Sequence, residues 1–269
     1  MGEKPMTILR LTRRDFNAAL GSAAAWPVAA RGQQLDRMRR IGVLMFSAEN
    51  DQEGRSSVTA FQEELRNFGW MRNSEIDIRW TAADVESMER FAKELVTLQP
   101  DLILTSSTAA TAVVLQHTRT IPVIFVLVAD PVGSGFVASL PRPGGNATGF
   151  TPIVGSLGGK WVELLKEIAP GVARATLVFN PPTATFIEGF LNPFKAAAAS
   201  VGVEAVVAPV NDMPSVESLV TTEARSPSSG LVVLPDAFTI HHSAEITALT
   251  ARYRVPAVYW SRSFAEVGA

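Results

Sequence analysis

Four hydroxyl side chains stand in a row directly after the apolar run at residues 102–104. They are Thr105, Ser106, Ser107 and Thr108. If a strand ends here and a helix begins near Ser107, the free N–H groups and positive dipole end of that helix lie beside the hydroxyls. Such a place binds an anion well. The residue types leave four roles open: binding a phosphate, binding a carboxylate, supplying a serine nucleophile, or capping the helix.

Catalytic chemistry finds little support elsewhere in the sequence. The chain contains no Cys, which excludes disulfides, thiolate metal sites and a cysteine nucleophile. A serine nucleophile needs a base. His117 falls in the last turn of a predicted helix, and the adjacent His241 and His242 are spaced for neither a triad nor metal ligation. Residues 133–138 match G-x-G-x-x-A without the acidic residue that ribose recognition needs, and there is no P-loop motif.

Polar residues also follow other predicted strands. Ser47 and Asp130 do so in the first half of the chain, and Asn180 and Asp236 in the second. Loops and helix caps favour these residue types in any protein. Because ligands of open parallel sheets bind beyond the carboxyl ends of the strands, the set together predicts a polar cleft. Asp130 and Asp236 could pair with an ammonium group, and the hydroxyl cluster with a carboxylate, as an amino-acid-like zwitterion requires.

Two similar halves supply the elements that position these residues. Apolar, β-rich runs alternate with helical patterns in both, at strand-to-strand steps that a helical crossover needs. Predicted strands are residues 41–46, 76–80, 102–105, 123–128, 175–179, 203–208, 231–234 and 257–259, and predicted helices are 58–68, 88–98, 107–117, 187–201, 215–224 and 243–253. The prediction is an α/β protein of two doubly wound Rossmann-like lobes with parallel sheets joined by a hinge, covering residues 33–151 and 152–269.

The N-terminal residues 1–32 are typical of an export signal. The segment Thr12-Arg13-Arg14-Asp15-Phe16 precedes an Ala-rich run at residues 18–30 that is too short to span a bilayer, with a cleavage point near Gly32 and Gln33. It resembles a twin-arginine signal, although Asn17 leaves the choice between the two bacterial export routes open. Without this segment the net charge falls from −2 to about −5. We therefore expect no nucleic-acid partner.

The longer motifs resemble one family. Four segments are similar to periplasmic substrate-binding proteins of bacterial ABC transporters, in the branch related to tryptophan- and tyrosine-binding components. They are TRRDFNAALGSAAAWPVAARGQQ, DPVGSGFVASLPRPGGNATGF, GGKWVELLKEIAPGVARATLVFNPP and LVVLPDAFT. The resemblance implies the type I periplasmic-binding-protein fold, a ligand held between two closing lobes, and docking on a permease driven by an ATPase. It also implies that Ser47, Thr105 to Thr108, Asp130, Asn180 and Asp236 line the cleft, with the ligand carboxylate on the hydroxyl cluster and its amino group near Asp236.

Together these inferences predict an exported, periplasmic, monomeric binding protein without enzyme activity, cofactor or metal. It would capture a small amino-acid-like or carboxylate ligand for an ABC permease and its ATPase. An enzyme of racemase or hydrolase type that uses the same cleft is the alternative. Members of the family continue for about 50 residues beyond the equivalent of residues 264–267, so the resemblance also predicts a truncated C-terminal part. The identity of the ligand stays open.

Overall fold

The structure is a computed structural model and describes residues 38–262 and 264. Residues 40–269 form one compact unit, and the separate unit at residues 1–39 lies almost wholly outside the described residues. The predicted export signal and its cleavage point near Gly32 and Gln33 are likewise outside them. No helix among the described residues is long and apolar enough to cross a membrane.

The first lobe is built on a five-stranded sheet in the order β2-β1-β3-β4-β5. Its strands are β1 Arg39–Met45, β2 Ser74–Trp80, β3 Leu102–Ser106, β4 Val123–Val126 and β5 Ala147–Gly149. Its helices are α1 Gln52–Asn67, α2 Val85–Thr97 and α3 Thr108–His117. The pairs β1–β3, β3–β4 and β4–β5 are parallel. Because the strand order reverses at β1, the switch point where such folds bind ligands lies between β1 and β3.

The second lobe repeats this plan on a four-stranded sheet in the order β7-β6-β8-β9. Its strands are β6 Arg174–Phe179, β7 Glu204–Pro209, β8 Ser229–Val233 and β9 Ala257–Val258. Its helices are α4 Leu157–Ile168, α5 Glu188–Ser200, α6 Met213–Glu223, α7 Ala237–His241 and α8 Ser243–Tyr253. Every strand pair in this sheet is parallel. The predicted α/β fold with two doubly wound lobes is confirmed.

Local chemistry explains where the helices start. α1 begins at Gln52, six residues before the predicted position, because the Asp51 carboxylate accepts a hydrogen bond from Gly54 N at 2.6 Å and caps the first turn. The helix ends where predicted, since Gly69 adopts a left-handed φ of 73°. α7 was not predicted. It is five residues long, and Asp236 and Thr239 cap it reciprocally.

The two lobes differ in how their sheets are covered. In the second lobe α4 and α5 pack on one face, and α6 and α8 on the other. In the first lobe α2 and α3 cover one face, whereas α1 packs on the opposite face. Beside α1 lies an apolar groove of about 330 Å³, lined by Leu104, Ile124 and Val126. Phe150 at its rim is 74% exposed.

Residues 150–156 carry the chain from the first lobe to the second. Within this link Ile153 forms a parallel bridge to Ala129, which follows β4. The lobes also meet through α7, because Ala237 is buried in the core cluster of the first lobe and Ile240 packs against that cluster. Both contacts lie at the carboxyl ends of the strands, where the sequence predicts the cleft.

Candidate functional site

Backbone strain concentrates at the carboxyl edge of the first sheet. Seven non-glycine residues among those described have positive φ, and five of these lie within four residues after the end of β2, β3 or β4. The five are Ala82, Ala83, Ser107, Leu127 and Asp130. A non-glycine residue adopts this conformation only where its surroundings enforce it, and such residues cluster at functional sites. The strain therefore marks the same edge as the polar residues.

The hydroxyl cluster at the start of α3 is buried and internally bonded. Thr105 Oγ1 lies 2.8 Å from Thr111 Oγ1, Ser106 Oγ accepts a hydrogen bond from Phe46 N at 3.2 Å, and Thr108 Oγ1 accepts one from Ala129 N at 2.9 Å. All four side chains of the cluster are at most 5% exposed. The hydroxyls of Ser106 and Thr108 thus fasten β3 and α3 to the neighbouring strand ends, and that of Thr105 joins β3 to α3.

Ser107 shapes the beginning of the helix. Its φ of 91° turns the chain out of β3, and its Oγ accepts a hydrogen bond from Ala110 N at 3.3 Å. Thr111 N donates to the Ser107 carbonyl at 3.2 Å. The N–H groups of Thr108 and Ala109 donate to no group among the described residues. These two N–H groups, at the positive end of the helix dipole, are free to bind an anion.

Ser47 contributes a buried hydroxyl at the end of β1. The residue is 4% exposed, and its Oγ has no hydrogen-bond partner among the described residues. Its carbonyl accepts a hydrogen bond from Ala82 N at 3.1 Å. A Cβ at Gly54 would overlap the Ser47 Oγ, so α1 packs directly on this side chain. A buried hydroxyl without a partner is costly, which makes Ser47 available to a ligand.

Asp236 and Asn180 meet at the strand ends of the second lobe. Asp236 is 2% exposed, and its carboxylate accepts hydrogen bonds from Asn180 N at 2.8 Å, Thr183 Oγ1 at 2.9 Å and Thr239 N at 2.9 Å. Burial raises the pKa of Asp236 to about 6, while these hydrogen bonds oppose the rise. The Asn180 amide donates to the carbonyl of Val210 at 2.9 Å. Asp236 therefore joins the start of α7 to the loop after β6, and the Asn180 side chain joins that loop to the chain after β7.

Asp130 occupies a different position, between the lobes. It has a φ of 45°, is half-buried, and accepts a hydrogen bond from Gly133 N at its Oδ1, 3.0 Å away. A Cβ at Gly189, in the first turn of α5, would lie 2.6 Å from Asp130 Oδ2. That oxygen accepts no hydrogen bond within the described part of the chain. Of the two predicted acidic residues, Asp130 has the carboxylate oxygen that is free for a ligand.

The remaining polar candidates have structural contacts. His117 Nε2 lies 2.8 Å from Glu89 Oε1, and His242 Nδ1 lies 2.7 Å from Glu245 Oε2. Tyr259 turns its hydroxyl to Thr250 Oγ1 at 2.6 Å. Residues 38–262 and 264 contain no cluster of three or more side chains suited to a metal ion.

Sequence reasoning missed the part of α7 that joins the lobes. Ala237 and Ile240 pack against the core of the first lobe. A five-residue helix is too short to show a hydrophobic period. The spacing of Asp236 and Thr239, three residues apart as in a capping box, was the available signal.

Two doubly wound lobes that meet at a strained, polar strand edge define the class of two-lobed solute-binding proteins. Residues 42–269 match the family described as ABC transporter substrate binding protein, and the chain belongs to that family. This confirms the resemblance noted from the sequence motifs.

Part of the chain is similar to a curated relative. The chain is 32% identical over 108 residues to a tyrosine-binding protein of Clostridioides difficile, a match that covers 40% of this chain and 31% of that protein. The match thus spans about a third of the length of this curated relative.

Two solved structures are similar over most of the chain. A conserved domain protein of Vibrio cholerae is 25% identical, with a TM-score of 0.76, over 87% of this chain and 77% of that one. An ABC domain from Streptococcus pneumonia, solved in complex with L-Trp, is 23% identical, with a TM-score of 0.74, over 86% and 77%. The second likeness shows the fold alone.

Proposed function

We propose that this chain is the solute-binding component of an ABC importer. It captures a small amino acid or related carboxylate between its lobes, outside the cytoplasmic membrane, and delivers it to a permease and its ATPase. The observation that carries the proposal is the pair of free N–H groups, Thr108 N and Ala109 N, at the strained start of α3. Membership of the substrate-binding family supports a carrier rather than an enzyme.

The carboxylate of the ligand would bind at these N–H groups. A carboxylate there interacts with the positive end of the helix dipole and receives charge-assisted hydrogen bonds. The buried hydroxyls of Thr105, Ser106 and Thr108 are bonded to the protein, so their role is to hold the helix start in place before the ligand arrives. The orphan hydroxyl of Ser47 is a further donor at the neighbouring strand end.

The amino group of the ligand would bind at Asp130. At Asp236, the position that the family resemblance implies, the amino group would compete with three protein donors already bonded to the carboxylate. Asp130 keeps Oδ2 free, and this oxygen lies against α5 of the other lobe. A ligand ammonium at this oxygen would therefore contact both lobes. Since a ligand shifts the lobes only by binding the closed form better, this position couples binding to closure.

L-Tryptophan and L-tyrosine are the first ligands to test, because one relative is a tyrosine-binding protein and one similar structure contains L-Trp. Calorimetric titration of the wild type is compared with Ala109→Pro, which removes one of the two free N–H groups. Proline fits the first turn of a helix, and α6 already carries Pro214 at the same position. We expect about tenfold weaker binding or more, from the loss of one charge-assisted hydrogen bond.

Ala244→Pro is the control for proline at this helix position, because Ala244 is the second residue of α8 as Ala109 is of α3, although Ala244 is exposed and Ala109 buried. It should leave affinity unchanged. Asp130→Asn should weaken binding of L-tryptophan but not of indole-3-propionate, which lacks the amino group. If Asp236→Asn has that selective effect and Asp130→Asn does not, the ammonium site is at Asp236. Unchanged affinity in Ala109→Pro, or turnover of the ligand, would refute the proposal.

A further inference from the structure

An open cavity lies on the flank of the first lobe, beside the C-terminal half of α3. It has a volume of about 840 Å³ and lies between the second half of α3 and residues 132–146. Cavities of roughly 300–1,000 Å³ hold most small-molecule ligands of proteins. Arg119 in its wall lies just beyond the C-terminal end of α3, whereas the free N–H groups of Thr108 and Ala109 lie at the N-terminal end of this helix, roughly 15 Å away along its axis. The charged part of the cavity is therefore remote from the proposed carboxylate site.

An irregular crossover creates this cavity. The connections from β1 to β2, from β2 to β3 and from β3 to β4 each contain a helix, whereas the connection from β4 to β5 contains none among its residues 127–146. No helix therefore packs along the outer side of α3. Gly135 and Gly145 lie in the wall, and a Cβ at either would meet no atom within 4 Å. At these two glycines the main chain itself forms the wall of the cavity.

The wall exposes both polar and apolar surface and carries a single charge. Leu115, Phe136 and Val137 line it, and Arg119 is the one charged residue among its described lining residues. Arg119 is exposed and makes no hydrogen bond or ion pair with the described residues. Ser134, also in the wall, has a hydroxyl shielded from solvent without a hydrogen-bond partner in the described structure. Since water does not reach this hydroxyl, it offers no contact to a ligand in the cavity.

We propose that this cavity is a second binding site, for a small carboxylate with an apolar body. The carboxylate would pair with the Arg119 guanidinium, whose planar donors match a carboxylate in geometry. The apolar body would lie on Leu115, Phe136 and Val137, where its removal from water favours binding. Because the described wall contains Arg119 and no acidic side chain, it favours an anionic ligand over a cationic one. Arg119, the charged residue of this site, lies at the opposite end of α3 from the carboxylate site proposed at Thr108 and Ala109.

Octanoate is the probe, and calorimetric titration of the full chain is the measurement. Arg119→Gln should weaken octanoate binding at least about tenfold through loss of a charge-assisted hydrogen bond. Binding of the neutral octanol should not change. Gly145→Phe should abolish octanoate binding by filling the cavity, since its added side chain meets no atom at the Cβ position.

Gly171→Phe is the matched control, because Gly171 is also open to solvent and lies in the second lobe. It should bind octanoate as the wild type does. Ala109→Pro should leave octanoate binding intact, which separates this site from the amino-acid site. If the wild type does not bind octanoate, if Arg119→Gln binds it equally well, or if Ala109→Pro abolishes binding, the proposal is wrong. Should Gly145→Phe fail to fold, Arg119→Gln still decides the question.

Discussion

The Asp236 carboxylate should make the stability of the second lobe depend on pH in an unusual direction. Most paired carboxylates have a lowered pKa and stabilise the folded state as pH rises. Burial instead raises the pKa of Asp236 from 3.8 to about 6, even though three donors bond to it. Between these two values the folded state holds a proton that the unfolded state has released. Stability is therefore lost as pH rises through this window.

The size of the effect follows from the two pKa values. One pKa unit corresponds to about 1.4 kcal/mol, so a rise of about two units corresponds to about 3 kcal/mol over the whole window. Between pH 4.5 and 7, where the protein is easier to study, about 2 kcal/mol of this difference falls. The comparison variant is Asp236→Asn, which keeps the shape of the side chain and removes the titration.

Urea unfolding of the wild type and of Asp236→Asn at several pH values measures the effect. The variant should be the less stable protein, because its amide places a donor where Asp236 Oδ2 accepts a hydrogen bond from Asn180 N. The free energy of unfolding of the wild type should exceed that of the variant by an amount, its advantage, that shrinks by about 2 kcal/mol between pH 4.5 and 7. Other titrating groups are common to both proteins and cancel. A constant advantage would mean that the pKa is not raised, and an advantage that grows with pH would mean that the hydrogen bonds outweigh burial.

Two further predictions concern packing around the proposed site. Thr111→Val should lower the free energy of unfolding by about 1–3 kcal/mol, because it leaves the buried Thr105 hydroxyl without its 2.8 Å partner; Thr222→Val, which removes a similar bond on an exposed helix face, should cost less than about 0.5 kcal/mol. Gly149→Ala should cost about 1–3 kcal/mol or more in thermal unfolding, because its Cβ would overlap the Phe125 carbonyl oxygen on the paired strand β4. Gly171→Ala, where the same Cβ meets nothing, is its control. Equal effects in either pair would contradict the packing described.

The regular elements were predictable because their signals are local. The apolar runs of β1, β3 and β8 and the hydroxyl-rich start of α3 each depend on residues within one turn or strand. The predicted helix is shorter than α1, since apolar periodicity begins only after the polar first turn that Asp51 caps. Phe68, the last residue of the predicted helix 58–68, is 76% exposed because it follows the last helical residue, Asn67.

The sequence by itself determined the fold class and the edge at which polar residues gather. Alternating strands and helices require parallel sheets, and parallel sheets bring their carboxyl ends to one side. It could not distinguish Asp130 from Asp236, since both are acidic residues that follow a strand. The hydrogen bonds of the folded protein distinguish the two carboxylates. Two of the donors to Asp236 come from Asn180 and Thr183, more than 50 residues away in the chain, whereas Asp130 Oδ2 faces the other lobe at Gly189 without a donor. A carboxylate's availability depends on which distant groups reach it, and only the packing of the lobes fixes that.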